Sequence, residues 1–183
     1  LICRTPKMLS DQVRSKISLF TNVPEDSVVN GLDVESVYEV PLMFHQQNLD
    51  NIIMTYLQMW TGSPKLQPWI DLIEKYKNPQ DEVDIAFIGK YVAHLDSYES
   101  LKEALLHGGI ANRLKVKLHY IDSEFLTPEN AFEQLEKMDG VLVAPGFGER
   151  GMEGKITAIQ IARTGNIPFF GICLGMQMAI VEF

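Results

Sequence analysis

Four short apolar runs punctuate the second half of the sequence, and each is followed by a segment with helical character. Residues 84–89 close on Gly89, residues 115–121 alternate polar side chains with Val116, Leu118 and Tyr120, residues 140–144 carry no polar side chain, and residues 167–172 form the fourth run. Continuous apolar runs suit strands covered on both faces, as in a parallel sheet. Between the first two, Asp96 with Glu99 three residues on predicts an N-cap, Tyr98, Leu101 and Leu105 line one face, and Gly108-Gly109 supplies a stop. Residues 130–137 and 153–163 predict two further helices, the latter with Ile156, Ile159 and Ile161 apolar and Gly165 placed to end it. The order βαβαβαβα predicts an α/β fold, a doubly wound, flavodoxin-like and mostly parallel sheet whose ligands sit beyond the carboxyl ends of the strands.

The first half reads differently. Leu9, Val13 and Ile17 repeat at helical spacing, as do Leu49, Ile52, Ile53 and Leu57, and then Trp69, Leu72, Ile73 and Tyr76, so this region is expected to be mostly helical. The polar run from Lys77 to Glu82 marks a boundary. We divide the chain into residues 1–65, a helical linker over 66–82, and residues 83–183.

Bulk properties exclude several classes. With 46% hydrophobic residues the 183-residue chain can bury a core, and a net charge of −8 without any basic, aromatic-rich stretch argues against a nucleic-acid partner. The most apolar window, 167–181, is interrupted by Pro168, Gly171, Gly175 and Gln177 and is too short for a membrane span. Cys3 and Cys173 are too few for a disulfide framework, which fits a cytoplasmic location. A start at Leu1, with neither Met nor a signal pattern, reads as a chain cut from something longer.

The chemistry concentrates in Gly171-Ile172-Cys173-Leu174-Gly175-Met176-Gln177, where the fourth strand meets an apolar helix. A strand turning directly into a helix strains the residue at the turn and requires small neighbours two positions to either side, here Gly171 and Gly175. Cys173 then projects above the sheet at a helix N-terminus, where free N–H groups and the helix dipole favour a thiolate nucleophile. An inert buried thiol is the plain alternative. One βα unit earlier stands Ala144-Pro145-Gly146-Phe147-Gly148-Glu149-Arg150-Gly151, whose glycines admit close backbone approach. Acyl transfer from an amide develops an oxyanion, best held by two backbone donors; Gly146 and Leu174 are the candidates. The same glycines fit a dinucleotide fingerprint, but Phe169, Phe170 and Gly171 stand where its acidic residue belongs, and a turn without a ligand is a further reading.

The GICLGMQ elbow, with a P-G-F-G turn one unit before it, resembles the class I glutamine amidotransferases. Lys16-Ile17-Ser18-Leu19-Phe20, Asp33-Val34-Glu35-Ser36-Val37-Tyr38, Gly89-Lys90-Tyr91, Asp96-Ser97-Tyr98 and Gly151-Met152-Glu153-Gly154-Lys155 narrow the resemblance to the CTP synthases, nearly end to end. It implies a cytoplasmic ligase in which a glutaminase domain frees ammonia from L-glutamine and an ATP- and Mg2+-dependent amidoligase domain adds it to UTP in pyrimidine biosynthesis. It further implies GTP as activator, CTP as inhibitor and a homotetramer. By position, Cys173 corresponds to the nucleophile, and Gly146, Leu174, Gly175, Met176 and Gln177 to the glutamine-binding set. Lys16 corresponds to the uridine-nucleotide contact, and Leu32, Asp33 and Val34 to the stretch beside the ATP base. Residues 1–65 would be the end of the amidoligase domain and 83–183 the first part of the glutaminase; Lys90 would lie near the interdomain face.

Two departures matter. Pro145 replaces the first of two usual glycines and carries no N–H, leaving Gly146 as the donor. Ten residues follow Cys173, without the family's catalytic His and Glu, and no phosphate loop is present, so these residues alone are expected to make no CTP. His45, His94, His107 and His119 are assigned no role, and no metal site is expected. A different cysteine hydrolase on the same sheet, or a non-catalytic assembly module, are the competing readings.

Overall fold

Contacts within the chain separate it between Lys77 and Asn78 into two units. The computed structural model describes residues 1–60, 62–92 and 95–183, the side chain of Leu95 excepted; His94 lies outside the described residues.

In the second unit, strands β3 (Asp81–Gly89), β4 (Leu114–Asp122), β5 (Gly140–Val143) and β6 (Phe169–Gly171) form one sheet in the order β4-β3-β5-β6, every pair parallel. The intervening helices are α5 (Glu99–Asn112), α6 (Pro128–Leu135) and α7 (Met152–Thr164), with α8 (Leu174–Glu182) following β6. Because side chains alternate along a strand, β3 sends Ile85 and Phe87 to one face and Ala86 and Ile88 to the other. Phe87 and Leu142 pack with Leu101 and Leu105 of α5, whereas Ile88, Val141 and Val143 pack with Ala131, Leu135, Ala158, Ile159 and Met178 of α6, α7 and α8. The expected doubly wound, parallel, flavodoxin-like sheet is therefore present, and both glycine-rich segments leave the carboxyl ends of the adjacent strands β5 and β6.

Two helix signals had other causes. Asp96 does not cap α5: it lies in a 3-10 turn, Leu95–Tyr98, and Tyr98 occupies the N-cap without a side-chain capping bond. Gly108-Gly109 does not stop it either. A Cβ on Gly109 would stand 2.7 Å from both Leu114 O and Val116 Cγ2, so that glycine lets α5 lie against β4. The helix ends later, at Arg113, whose φ of 57° is left-handed and whose N–H returns to Gly109 O and Ile110 O.

The first unit is mostly helical, as expected, and adds a short strand pair that the sequence did not signal. It contains α1 (Asp11–Thr21), α2 (Val40–Gln46), α3 (Leu49–Tyr56) and α4 (Gln67–Lys77), but also β1 (Ile2–Thr5) and β2 (Val29–Leu32), paired in parallel. Four-residue strands with Cys3 and Arg4 at the centre of one and Asn30 and Gly31 at the centre of the other show no apolar run. The fully buried Asn30 is satisfied on every side: its Oδ1 accepts from Leu9 N–H at 2.8 Å, its Nδ2 donates to Gln47 Oε1 at 3.1 Å, and Gln47 Oε1 also accepts from its backbone N–H while Gln47 Nε2 donates to its carbonyl at 2.9 Å. Lys77 closes α4 onto Glu39.

Candidate active site

Cys173 is the N-cap of α8, with φ 54° and ψ −110°, a conformation side-chain-bearing residues rarely adopt. The flanking glycines are steric necessities. A Cβ on Gly171 would meet Gly175 C at 2.7 Å, and one on Gly175 would stand 2.1 Å from Val143 O. The thiol is exposed, which removes the buried-thiol alternative. Met176 and Gln177 are exposed beside it, Leu174 is half-buried and Gly175 buried. The elbow is tied to β5 through Ile172 N–H donating to Val143 O at 3.0 Å.

The turn after β5 starts one residue beyond that contact. Gly146 has φ +146°, a region closed to residues with a Cβ, and its neighbours are Lys90 and Tyr91. Three side chains hold the turn by its carbonyls. Lys155 Nζ, fully buried on α7, donates to Ala144 O at 2.7 Å. The Tyr98 hydroxyl accepts from Lys90 N–H at 3.2 Å and Tyr91 N–H at 3.4 Å and reaches Pro145 O at 3.5 Å. The buried Lys90 donates through Nζ to Phe147 O at 2.9 Å and to Gly148 O.

Burial pushes the Lys155 ammonium down to about 8, helped by the like charge of Lys90 and opposed by Cys173. Lys90 is lowered too, first by burial and then by Arg150, against the pull of Glu124. The remaining described histidines face acids: His45 Nδ1 is 2.9 Å from Asp50, His119 Nε2 is 2.6 Å from Asp84, and His107 is 4.0 Å from Glu103. Among the described residues no group of three or more His, Cys, Asp and Glu is placed to hold a metal ion, and no helix is long and apolar enough to cross a membrane.

Residues 93–183 match the family described as "Glutamine amidotransferase class-I", and residues 1–59 match "CTP synthase N-terminus". Over its whole length the chain is 51% identical to a CTP synthase of Syntrophus aciditrophicus and 53% identical to one of Geobacter metallireducens, covering 34% of each. The chain belongs to the CTP synthase family. It spans about a third of the length of these curated relatives. A solved structure described as Trypanosoma brucei CTPS, glutaminase domain with bound acivicin, is 43% identical and superimposes with a TM-score of 0.52, covering 55% of this chain and 39% of that one.

Of the residues that the CTP synthase resemblance singles out, Cys173 to Gln177 form the elbow, Gly146 lies on the turn that leaves the adjacent strand, and the nucleotide candidates lie in the first unit. Leu32, Asp33 and Val34 leave the carboxyl end of β2, and Asp33 is held by Arg4 at 2.5 Å. Lys16 is exposed on α1, and no described hydrogen bond or ion pair joins it to them. Sequence reasoning passed over Tyr98 and Lys155 as site residues. A signal existed for Lys155: it shares its helix face with Ile159 and Ala162, both core residues, which is no place for a solvated lysine.

Proposed function

We propose that Cys173 is the nucleophile of a glutaminase and that its parent enzyme aminates UTP to CTP. The observation that carries this reading is the exposed thiol held at φ 54° on a helix N-terminus between two glycines that tolerate no Cβ. The thiolate adds to the carboxamide carbon of L-glutamine, and the negative charge moves to the oxygen. The N–H groups of Gly146 and Leu174 hold that oxyanion. Collapse breaks the C–N bond, ammonia leaves with an added proton, and water hydrolyses the resulting thioester to glutamate. Gly175, Met176 and Gln177 line the glutamine side of the elbow. The proton donor is the His–Glu pair of the family, which these residues do not include.

The remaining steps belong to the full-length protein. ATP and Mg2+ activate UTP, with Lys16 contacting the uridine nucleotide and Leu32, Asp33 and Val34 beside the ATP base. Residues 1–65 close the amidoligase domain, residues 66–82 link it to the glutaminase, and residues 83–183 begin the latter; the family matches over 1–59 and 93–183 support this division. A cytoplasmic homotetramer activated by GTP and inhibited by CTP completes the reading.

Cys173→Ala in the full-length protein tests it. Glutamine-dependent CTP formation is expected to fall by several orders of magnitude while formation from added ammonia stays within a few-fold, because ammonia bypasses the acyl-enzyme. Equal loss with both nitrogen sources in a folded protein would make Cys173 structural and remove the reading.

A further inference from the structure

The carbonyls of Ala144, Pro145, Phe147 and Gly148 all point at side chains from elsewhere in the fold: Lys155, Tyr98 and Lys90. Two of these partners are distant in sequence, with Lys90 57 residues from Phe147 and Tyr98 47 from Pro145. A glycine-rich turn is otherwise free to rotate its peptide planes, since Gly146 and Gly148 resist almost no backbone angle. Such freedom is harmful in an oxyanion hole, whose donor must be aimed before the charge develops.

The peptide plane decides the aim. No peptide bond among the described residues is cis, so the carbonyl of Pro145 and the N–H of Gly146, which share one plane, point in opposite directions. Drawing Pro145 O toward the Tyr98 hydroxyl therefore turns Gly146 N–H away from Tyr98. Lys90 fixes the next part of the turn the same way, by two carbonyls at once. Tyr98 is itself immovable: it is 4% exposed, its ring packs 5.0 Å from Phe87, and a Cβ on Gly89 would come within 2.9 Å of its hydroxyl oxygen. Its hydroxyl also accepts from the backbone of Lys90 and Tyr91, joining the turn after β3 to the turn after β5.

We infer that Tyr98 and Lys90, with Lys155 behind them, are positioning residues that lock the glycine turn by its carbonyls so that Gly146 N–H is aimed as an oxyanion donor. This rests on the glutaminase reading above. None of the three touches the reacting atoms; each acts through the Gly146 peptide. Lys90 needs both length and charge, since a single ammonium has donors for two carbonyls at once. Nothing in this role requires a carboxylate partner, which agrees with a buried lysine whose hydrogen bonds all go to the backbone.

The variants Tyr98→Phe, Lys90→Met and Lys90→Arg in the full-length protein test the inference by two readouts on the same thiol. Glutamine hydrolysis passes through an oxyanion; alkylation of Cys173 by iodoacetamide displaces iodide directly and does not. Tyr98→Phe removes one oxygen from a packed ring and is expected to lower the glutaminase kcat about tenfold, with KM for glutamine within about twofold, because an aimed donor acts mainly in the transition state. Lys90→Met should cost about a hundredfold, the scale of a lost oxyanion donor, and Lys90→Arg should recover part of it. Cys173 alkylation should stay at the wild-type rate in all three. Unchanged kcat in Tyr98→Phe and Lys90→Met overturns the clamp, as does a rise in KM alone or a parallel loss of alkylation and hydrolysis. Cys173→Ala separates the two levels: if it still hydrolyses glutamine, the glutaminase reading fails, and if it is inactive while the clamp variants match wild type, only the clamp fails.

Discussion

Lys155 presents, on one side chain, the conflict between burying a charge and needing it. Its Nζ satisfies one of three donors on Ala144 O, and burial depresses it from 10.5 to about 8. The folded state therefore releases this proton before the unfolded chain does. Between about pH 8 and pH 10.5 the unfolded chain binds more protons, so stability rises with pH across that window, and below pH 8 the buried charge costs on the order of 3 kcal/mol relative to an unperturbed lysine. Methionine at this position keeps most of the volume and loses the charge. At pH 7, Lys155→Met is expected to melt at or above the wild-type temperature, since the cost of the buried charge offsets the about 1–3 kcal/mol of leaving Ala144 O without its partner. Wild type should then gain on the variant as pH rises from 8 to 10. Parallel melting curves across that range would show that Lys155 carries no proton-linked cost.

At the scale of elements, α7 and α8 run under the same face of the sheet and are joined beyond their apolar contact by a two-pronged ion pair. Arg163 Nε and Nη2 donate to the two carboxylate oxygens of Glu182 at 2.8 and 2.7 Å, and the carboxylate is almost entirely covered while the guanidinium is half exposed. Planar guanidinium and carboxylate fit as a fork, so the pair also fixes the rotation of α8, the helix that begins at Cys173. Arg163 holds the Glu182 carboxyl below its ordinary range. A depressed carboxyl contributes stability above its unfolded value of 4.5 and loses it as pH falls through the lowered one. Glu182→Gln should therefore melt below wild type at pH 7, with the gap closing in acid as wild-type Glu182 protonates. A gap of the same size at pH 7 and pH 3 would assign the loss to packing.

At the scale of the molecule, large apolar side chains remain exposed. In the second unit, α8 carries polar side chains only at Gln177 and Glu182, and its Ile180 and Val181 are exposed, as is Phe170 on β6. Exposed apolar surface of this kind drives association. The 183-residue chain by itself is expected to sediment as a concentration-dependent mixture of sizes, and replacing Ile180 with Lys together with Val181 with Glu should shift it toward monomer. Sedimentation velocity checks this. A single monomeric boundary for the unaltered chain at high micromolar concentration would mean that this surface is too broken up to associate.

What the sequence determined alone is what local sterics and periodicity encode. Runs such as residues 140–144 are strands because they can be covered on both faces, and the Gly-x-Cys-x-Gly spacing admits little except a sharp strand-to-helix turn, which the φ of Cys173 displays. Strand order follows from short crossovers of one hand, so adjacency of the glycine turn and the elbow was legible as well. Other features had no local signal. β1 and β2 exist because residues 27 apart align, Ile2 with Val29, although neither segment is an apolar run. Gly109, a helix stop by every local rule, lies within a helix because β4 passes too close for a side chain. The clamp on the glycine turn likewise joins Lys90, Tyr98 and Lys155 only once β3, β5 and α7 are packed. Periodicity states which face of an element is buried; what a buried amine or hydroxyl finds there depends on which distant carbonyl the sheet brings within about 3 Å.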